Sequence, residues 1–279
     1  MGDHERLDRE IAAHYAEVAE RQRLGPLSLE RVRTWELLVR HLPEAPAVVL
    51  DVGGAAGVYA LPLAARGYQV HLVDPMARHV EQALEASGQQ QETPLASATV
   101  GDARRLEWPD AGVDAVLLLG PLYHLTERAD RVRALGEARR VLRPGGVLAA
   151  AAISRFASMM DGLLRGSLDD PVFAAIVERD LRDGQHRNPT ERADYFTTAY
   201  FHRPEELRAE LLAAGLVVEG LYGIEGPGWI LPDLAERWAD ARRRADLVAV
   251  ARAVELEPSV IGASAHLLAV ARRPRSGGA

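Results

Sequence analysis

A glycine-rich turn directly after a short apolar run is the feature that most constrains this sequence. The segment VVLDVGGAAGVY spans residues 48–59, and its apolar run ends at Asp51. Four small residues then form the turn: Gly53, Gly54, Ala55 and Gly57. Small residues allow a ligand to lie against bare backbone, and the N–H groups at the start of a helix favour an anionic or strongly polar group. The segment therefore predicts a strand–turn–helix unit that binds a polar ligand.

Apolar runs alternate with helical patterns along the first half of the chain. The predicted strands are AVVLDVG, YQVHLVD, SATVGD, VDAVLLL and GVLAAAAI, with helices at 59–66, 77–87 and 127–142. Continuous Val, Leu and Ala runs separated by helices are typical of a parallel sheet that is buried on both faces. We therefore predict an α/β fold with a doubly wound, mostly parallel sheet.

The alternation stops after Ile153 and resumes at Pro204. The intervening residues are rich in Asp, Arg, His and aromatic side chains and show no clean strand, so we predict an inserted cap. Before the cap, we predict an N-terminal helical lid over 1–45, with helices at 7–23 and 28–42, and a core over 46–153. The cap covers 154–203. After it, we predict a C-terminal completion of the sheet over 204–273, with a helical insertion at 232–255, and a disordered tail over 274–279.

Charge and composition exclude several kinds of partner. The chain has 33 Lys and Arg against 40 Asp and Glu, a net charge of −7 that opposes binding to a polyanion such as nucleic acid. It contains no cysteine, which excludes disulfides and cysteine-based zinc sites. No run approaches the roughly 20 apolar residues of a membrane span, and MGDHERLDRE lacks the apolar core of a signal peptide. We expect a cytoplasmic protein with no membrane partner.

A second acid limits the kinds of ligand that the glycine turn could bind. Asp74 ends the next predicted strand, where a carboxylate can accept both hydroxyls of an adenosine ribose. The dinucleotide pattern GxGxxG fits poorly, because counting from Gly53 places Ala55 and Val58 at its second and third glycines. The pattern (D/E)xGxGxG fits better, and with it the sequence resembles the class I S-adenosylmethionine-dependent methyltransferases over about residues 47–273.

Three further segments resemble the same family in the same order. They are GDARRL at 101–106, DAVLLLGPLYHL at 114–125 and ARRVLRPGGVL at 138–148. The resemblance implies a seven-stranded sheet with a C-terminal antiparallel strand, and S-adenosyl-L-methionine as cofactor. It also implies the cofactor-binding residues, which are Tyr15, Arg33, Asp51, Gly53, Gly54, Ala55, Gly57, Asp74, Pro75, Met76, Asp102, Ala103, Leu119 and Gly120.

Methyl transfer requires alignment of the acceptor and, for a hydroxyl or protonated amine, a base. His124 follows the fourth predicted strand and is the candidate base; the alternative is a histidine that lines the pocket or caps the next helix. Candidate substrate-binding residues are Tyr123, His186, Asn188, Tyr195, Tyr200, His202, Glu225 and Trp229. The aromatic residues of the cap could equally form its own small core. We predict no metal site, since His186 and His202 lack a metal-ligand spacing.

Three functions remain open from the sequence. The first is a methyltransferase that modifies oxygen, nitrogen or carbon of a small-molecule acceptor. The second is an NAD-dependent oxidoreductase, and the third is a protein that binds S-adenosylmethionine without catalysis. The N-terminal helices and the cap also offer surfaces for a homodimer.

Overall fold

A computed structural model describes residues 28–90, 92–190 and 192–275 of the chain. The strands in this part are β1 Val48–Val52, β2 Gln69–Asp74, β3 Ser97–Val100, β4 Val113–Leu118, β5 Leu142–Ser154, β6 Gln185–His186, β7 Ala199–His202, β8 Val217–Gly223 and β9 His266–Arg272. The α-helices are α1 Leu29–His41, α2 Ala60–Ala64, α3 Ala77–Gly88, α4 Pro121–His124, α5 Arg128–Val141, α6 Ala157–Arg165, α7 Pro171–Asp183, α8 Pro204–Ala213, α9 Leu234–Ala239 and α10 Ala241–Val254.

The central sheet confirms the predicted doubly wound architecture. Strands β3, β2, β1, β4 and β5 lie side by side and are parallel, β9 pairs antiparallel with β5, and β8 pairs antiparallel with β9. The chain reverses its direction of progress across the sheet between β1 and β4. In such sheets the carboxyl ends of the strands at this switch point border a crevice, which is where ligands bind.

Helices cover both faces of the sheet because the strands are apolar on both sides. One core cluster joins the sheet to α5 and α8 through Leu135 and Leu207, and the other joins it to α1 and α2 through Leu37 and Leu63, all four of which are fully buried. No helix in the described part of the chain is both long and apolar enough to cross a membrane.

The expectation that the cap contains no strand is wrong. Strands β6 and β7 form a short antiparallel pair, and β7 also pairs parallel with the end of β5, with Ile153 opposite Phe201 and Ser154 opposite His202. The physical reason is the length of β5, which continues beyond the end of β4 and would otherwise carry unpaired backbone groups at this edge.

Buried charged side chains join the cap to helices α5 and α8. Arg131 on α5 donates to both carboxylate oxygens of Glu210 on α8, at 2.7 to 3.0 Å. Glu210 also lies 3.2 Å from His202 on β7, and the guanidinium of Arg131 lies 3.6 Å from the ring centre of Tyr200. Arg131, Glu210 and His202 are each at most 2% exposed. These contacts hold β7 at the edge of the sheet.

Three local predictions differ from the structure. The RPGG segment lies inside β5 instead of preceding it, and the predicted loop after β4 contains the short helix α4. The helical insertion at 232–255 divides into α9 and α10. The division falls at Asp240, whose carboxylate accepts the N–H of Arg243 and so starts a new helix.

Candidate active site

The glycine turn forms a narrow backbone cradle at the carboxyl end of β1. Gly53 and Gly57 adopt positive φ angles of 72° and 82°, and Ala55 lies in the same left-handed region at 47°. A Cβ atom on Gly53 would lie 2.6 Å from the side chain of Pro121, and one on Gly54 would lie 2.8 Å from Oδ2 of Asp51. The cradle therefore tolerates no side chain at these two positions.

Two buried carboxylates flank this cradle. Asp74, at the end of β2, accepts the N–H groups of Ala55 and Met76 at 2.9 Å and contacts Nδ1 of His79 at 3.0 Å. Asp51, on β1, is 1% exposed, and its Oδ2 has no hydrogen-bond partner among the described residues. These acids are on adjacent strands, as their positions in the sequence predicted.

The buried Asp51 carboxylate has a raised pKa. Burial and the negative charge of Asp74 raise the pKa of Asp51 to about 7, against a hydrogen bond from the Ala60 N–H that lowers it. A nearby cation would favour the ionised form and lower this pKa again. The site is thus suited to a ligand that brings an ammonium group.

Asp102 and Ala103 lie farther along the same edge of the sheet. β3 ends at Val100, and Asp102 belongs to a tight turn in which it pairs with Arg105. The Arg104 guanidinium donates to both carboxylate oxygens of Asp102 at 2.6 to 3.0 Å. Burial raises the pKa of Asp102, but the hydrogen bonds and charge of Arg104 outweigh it, so that the pKa is lowered overall. The Asp102 carboxylate remains 45% exposed and ionised.

The loop between β4 and α5 meets the cradle from the other side. A Cβ atom on Gly120 would lie 3.5 Å from the carbonyl oxygen of Gly53. Helix α4 begins directly after Gly120 and ends at His124, whose ring centre is 4.6 Å from that of Tyr123 and 6.4 Å from that of Phe196 in the cap. The structure therefore brings the cradle, the β4 loop and the cap to one edge. The remaining predicted positions on these elements are Pro75, which is exposed, and Met76 and Leu119, which are partly buried.

The predicted cap residues contact one another and their supporting helices. His186 is 1% exposed, with Nδ1 2.8 Å from Asp180 and Nε2 2.8 Å from the carbonyl oxygen of Tyr195. The Asn188 amide donates to two backbone carbonyls within the cap. The hydroxyl of Tyr195 donates to Asp170, and Tyr200 and His202 contact Arg131 and Glu210 as described above. His186, Asn188 and Tyr195 thus make these contacts within the cap, whereas Tyr200 and His202 contact helices outside it.

Arg33 is buried, although the several arginines of its helix are typical of a surface helix. It is 0% exposed and forms ion pairs with Glu36 on its own helix and with Glu255 at the end of α10. Its guanidinium therefore contacts carboxylates of the protein, and joins α1 to the helical insertion. Tyr15 lies outside the described residues.

Glu225 and Trp229 follow β8, at the same edge as the β5 terminus. The Trp229 Nε1–H donates to the carbonyl oxygen of Ala263 at 2.9 Å. Glu225 is 3% exposed and lies 2.6 Å from Nδ1 of His266, with Glu30 of α1 3.9 Å from the same nitrogen. Glu30, Glu225 and His266 thus bring potential ligand atoms within 4.8 Å of one another. His266 is not among the predicted site residues, and its one signal in the sequence is its place directly before the last apolar run.

Comparison with known proteins finds similarity to methyltransferases. The methyltransferase domain family matches residues 50–150. Among curated relatives, a ubiquinone/menaquinone biosynthesis C-methyltransferase of Caulobacter vibrioides is 35% identical over 127 residues, covering 41% of this chain and 48% of the relative. A tRNA 5-carboxymethoxyuridine methyltransferase of Escherichia coli O157:H7 is 32% identical over 172 residues, covering 58% and 64%. The chain thus spans about half to just under two thirds of these relatives.

Solved structures share the fold. The crystal structure of a SAM-dependent methyltransferase from Methanosarcina mazei superimposes with a TM-score of 0.58 at 18% identity, covering 86% of this chain and 98% of the other. This likeness covers more of the chain than residues 50–150 and concerns the fold alone.

Proposed function

Since this chain carries a methyltransferase domain of the class I, S-adenosylmethionine-dependent kind, we propose that the whole protein transfers the methyl group of S-adenosylmethionine to a small-molecule acceptor. The observation that carries this proposal is the buried Asp51 carboxylate, whose Oδ2 has no hydrogen-bond partner among the described residues, beside a cradle that leaves no space for a side chain at Gly53 and Gly54. When bound, the cofactor supplies an electrophilic methyl group on a sulfonium with a good leaving group.

Three acids at this edge of the sheet fit the ammonium, the ribose and the adenine of that cofactor. The ammonium of its amino acid half suits Asp51, since a cation there offsets the burial of the carboxylate. Asp74 would accept the ribose hydroxyls by exchanging some of the internal hydrogen bonds that it now makes. Asp102 would accept from the adenine amino group, and the Ala103 N–H would meet the ring. His124 and Tyr123, in the short helix α4 after β4, would contact the acceptor, with His124 as the first candidate base.

A small acceptor fits the charge of this edge better than a nucleic acid does. The net charge of the chain is −7, and two acids, Asp51 and Asp74, flank the glycine cradle at the carboxyl ends of β1 and β2. A phosphate backbone would meet repulsion there instead of releasing counterions. One curated relative methylates a tRNA nucleoside according to its name, so tRNA belongs in the test as an alternative acceptor.

Calorimetric titration tests the cofactor half of the proposal. We expect S-adenosylmethionine and S-adenosylhomocysteine to bind the wild type, and Asp74→Ala to weaken binding at least tenfold. Asp114→Ala is the matched control, because Asp114 lies on neighbouring β4 and accepts the Val48 N–H away from the cradle. Equal affinities for the wild type and Asp74→Ala, or tighter binding of NADH than of S-adenosylhomocysteine, would contradict the proposal.

The acceptor half needs an untargeted experiment. The protein and S-adenosylmethionine with an isotopically labelled methyl group are incubated with a small-metabolite extract, and in parallel with total tRNA. We expect label in a small product and none in tRNA. Label in tRNA alone would refute the small-molecule acceptor but keep the methyltransferase activity. Binding without label in either pool would favour a protein that binds the cofactor without catalysis.

A further inference from the structure

An arginine fixes the orientation of the Asp102 carboxylate. The Arg104 Nε–H lies 3.0 Å from both carboxylate oxygens, and Nη2 donates to Oδ2 at 2.6 Å. The backbone N–H of Arg104 donates to Oδ1 at 2.8 Å. A planar guanidinium that binds both oxygens determines the plane of the carboxylate as well as its position, which a single point charge does not do.

The acid is the more exposed member of this pair. The Asp102 side chain is 45% exposed and that of Arg104 is 22% exposed. The guanidinium also contacts Asp130, in the first turn of α5, whose Oδ2 accepts from Nη1 at 3.3 Å. Arg104 therefore lies between two carboxylates, and the part of Asp102 that stays open to solvent is available to a ligand.

The open part of the Asp102 carboxylate accepts a hydrogen bond and does not donate one. Burial raises the pKa of Asp102, but the hydrogen bonds and charge of Arg104, together with the charge of Arg133, lower it overall, so the group is ionised at neutral pH. An ionised carboxylate has about four accepting lone pairs, and in the described part of the chain Arg104 occupies them with three N–H groups. The remaining position suits one N–H donor of a ligand and repels a carbonyl oxygen.

The turn that carries Asp102 is held by contacts other than the Arg104 side chain. The Arg105 N–H donates to the Asp102 carbonyl oxygen at 3.0 Å, and the Leu106 N–H donates to Glu137 on α5 at 2.8 Å. Partly exposed ion pairs contribute little to stability. Loss of the Arg104 side chain should therefore free the Asp102 carboxylate to rotate while the turn keeps its place.

We propose that Arg104 is a positioning residue for base recognition. It holds Asp102 in one orientation, so that the protein selects adenine, which carries an exocyclic amino group, over hypoxanthine, which carries a carbonyl oxygen in its place. The inference rests on the proposed binding of S-adenosylmethionine. The amino group donates one N–H to the open position of Asp102, whereas the carbonyl oxygen meets its negative charge. Because hydrogen bonds weaken away from their preferred direction, a carboxylate that rotates loses part of this preference.

Calorimetric titration with two ligands that differ at this amino group tests the proposal. S-adenosylhomocysteine and S-inosylhomocysteine are titrated into each protein, and the ratio of their affinities is the measured quantity. We expect the wild type to prefer the adenosyl ligand at least about tenfold, since the bond is made to a charged group. Arg104→Gln should reduce this preference at least about threefold, and Arg104→Lys should not restore it, because an ammonium lacks the planar fork.

Arg165→Gln is the matched control. It removes an exposed arginine that forms an ion pair with Asp161 on α6, and it should leave the preference unchanged. A merely structural role of Arg104 would weaken both ligands alike and would cancel in the ratio. The ratio therefore separates positioning from a general loss of binding.

NMR titration of the Asp102 carboxyl group tests the contact in the protein without any ligand. We expect the wild-type pKa to lie below the ordinary value of 3.8 and Arg104→Gln to raise it. A wild-type pKa at or above 3.8 would overturn the proposal, even if Arg104→Gln does not fold.

The outcomes separate this inference from the proposed function. An unchanged preference in Arg104→Gln, or a full preference in Arg104→Lys, would overturn the positioning role and leave cofactor binding intact. Equal wild-type affinities for the two ligands would overturn base selection at Asp102 and also leave cofactor binding intact. A wild type that binds neither ligand would contradict the proposed function and this inference together.

Discussion

Replacing Asp51 by asparagine should stabilise the folded protein at neutral and alkaline pH while weakening its hold on the cofactor. Asp51 is buried beside Asp74, and its Oδ2 has no hydrogen-bond partner among the described residues. The folded protein therefore pays a free-energy cost whenever this carboxylate is ionised. Asparagine has nearly the same shape and removes the charge.

The magnitude follows from the raised pKa of Asp51. The ordinary value is 3.8 and the folded value is about 7. Between these values the folded protein holds a proton that the unfolded chain has released, so stability falls as pH rises through this window and levels off above it. At about 1.4 kcal/mol per pH unit, ionisation costs about 4 kcal/mol at pH 8 and below about 1 kcal/mol at pH 4.

Urea unfolding at a series of pH values measures this cost. We expect the free energy of unfolding of Asp51→Asn to exceed that of the wild type by a margin that widens by about 3 kcal/mol between pH 5 and pH 8. Asp110→Asn is the control, because the Asp110 side chain is 76% exposed and should give a nearly constant margin. A constant margin for Asp51→Asn would refute the reasoning, since it would mean that Asp51 titrates alike in both states. Calorimetry on the same variant should show weaker binding of S-adenosylmethionine.

Two further predictions concern the cradle and the buried charges of the cap. Gly53→Ala should destabilise the protein more than Gly166→Ala and should abolish binding of S-adenosylhomocysteine. Both glycines have φ of 72°, so each substitution carries about 1 kcal/mol of backbone strain. A Cβ atom at position 53 also clashes with Pro121, whereas one at position 166 has no atom within 4 Å. Thermal unfolding and calorimetry decide this, and equal losses of stability would contradict it. Glu210→Gln should lower the free energy of unfolding, measured in urea, by about 3 to 5 kcal/mol, because it leaves the buried Arg131 charge uncompensated. Asp161→Asn breaks an exposed pair with Arg165 and should lower it by less than about 1 kcal/mol. Similar losses for the two variants would show that the buried pair is not ionic.

The sequence predicted the central sheet well because its signals are local. Continuous apolar runs, a glycine turn and an acid at the end of each of two strands determine β1, β2 and the positions of Asp51 and Asp74 without knowledge of distant residues. The apolar run HLLAVARR predicts β9 itself, whereas its antiparallel direction was implied by the family resemblance. The part of the site that follows from adjacent parallel strands was therefore predictable.

The cap and the acceptor side depend on contacts between distant residues. Arg131 and Glu210 are 79 positions apart, and Glu225 and His266 are 41 apart. Arg33 reads as one of several arginines on a surface helix, and its burial depends on Glu255, which is 222 positions away. Nothing in the spacing of single residues predicts such pairs, so the histidines and tyrosines of the cap remained candidates for substrate contacts.

Strand β9 lies between β5 and β8 although it follows both in the chain. During synthesis, neither β5 nor β8 can form its long antiparallel ladder until residues 266–272 have been made, because β9 is the partner of both ladders. A nascent chain stalled before this point would present the open side of β5, whose alanine-rich apolar run at 147–153 is a template for pairing with another copy. Translation that pauses in the α9–α10 region should therefore increase aggregation, because this side of β5 stays unpaired until β9 has been made.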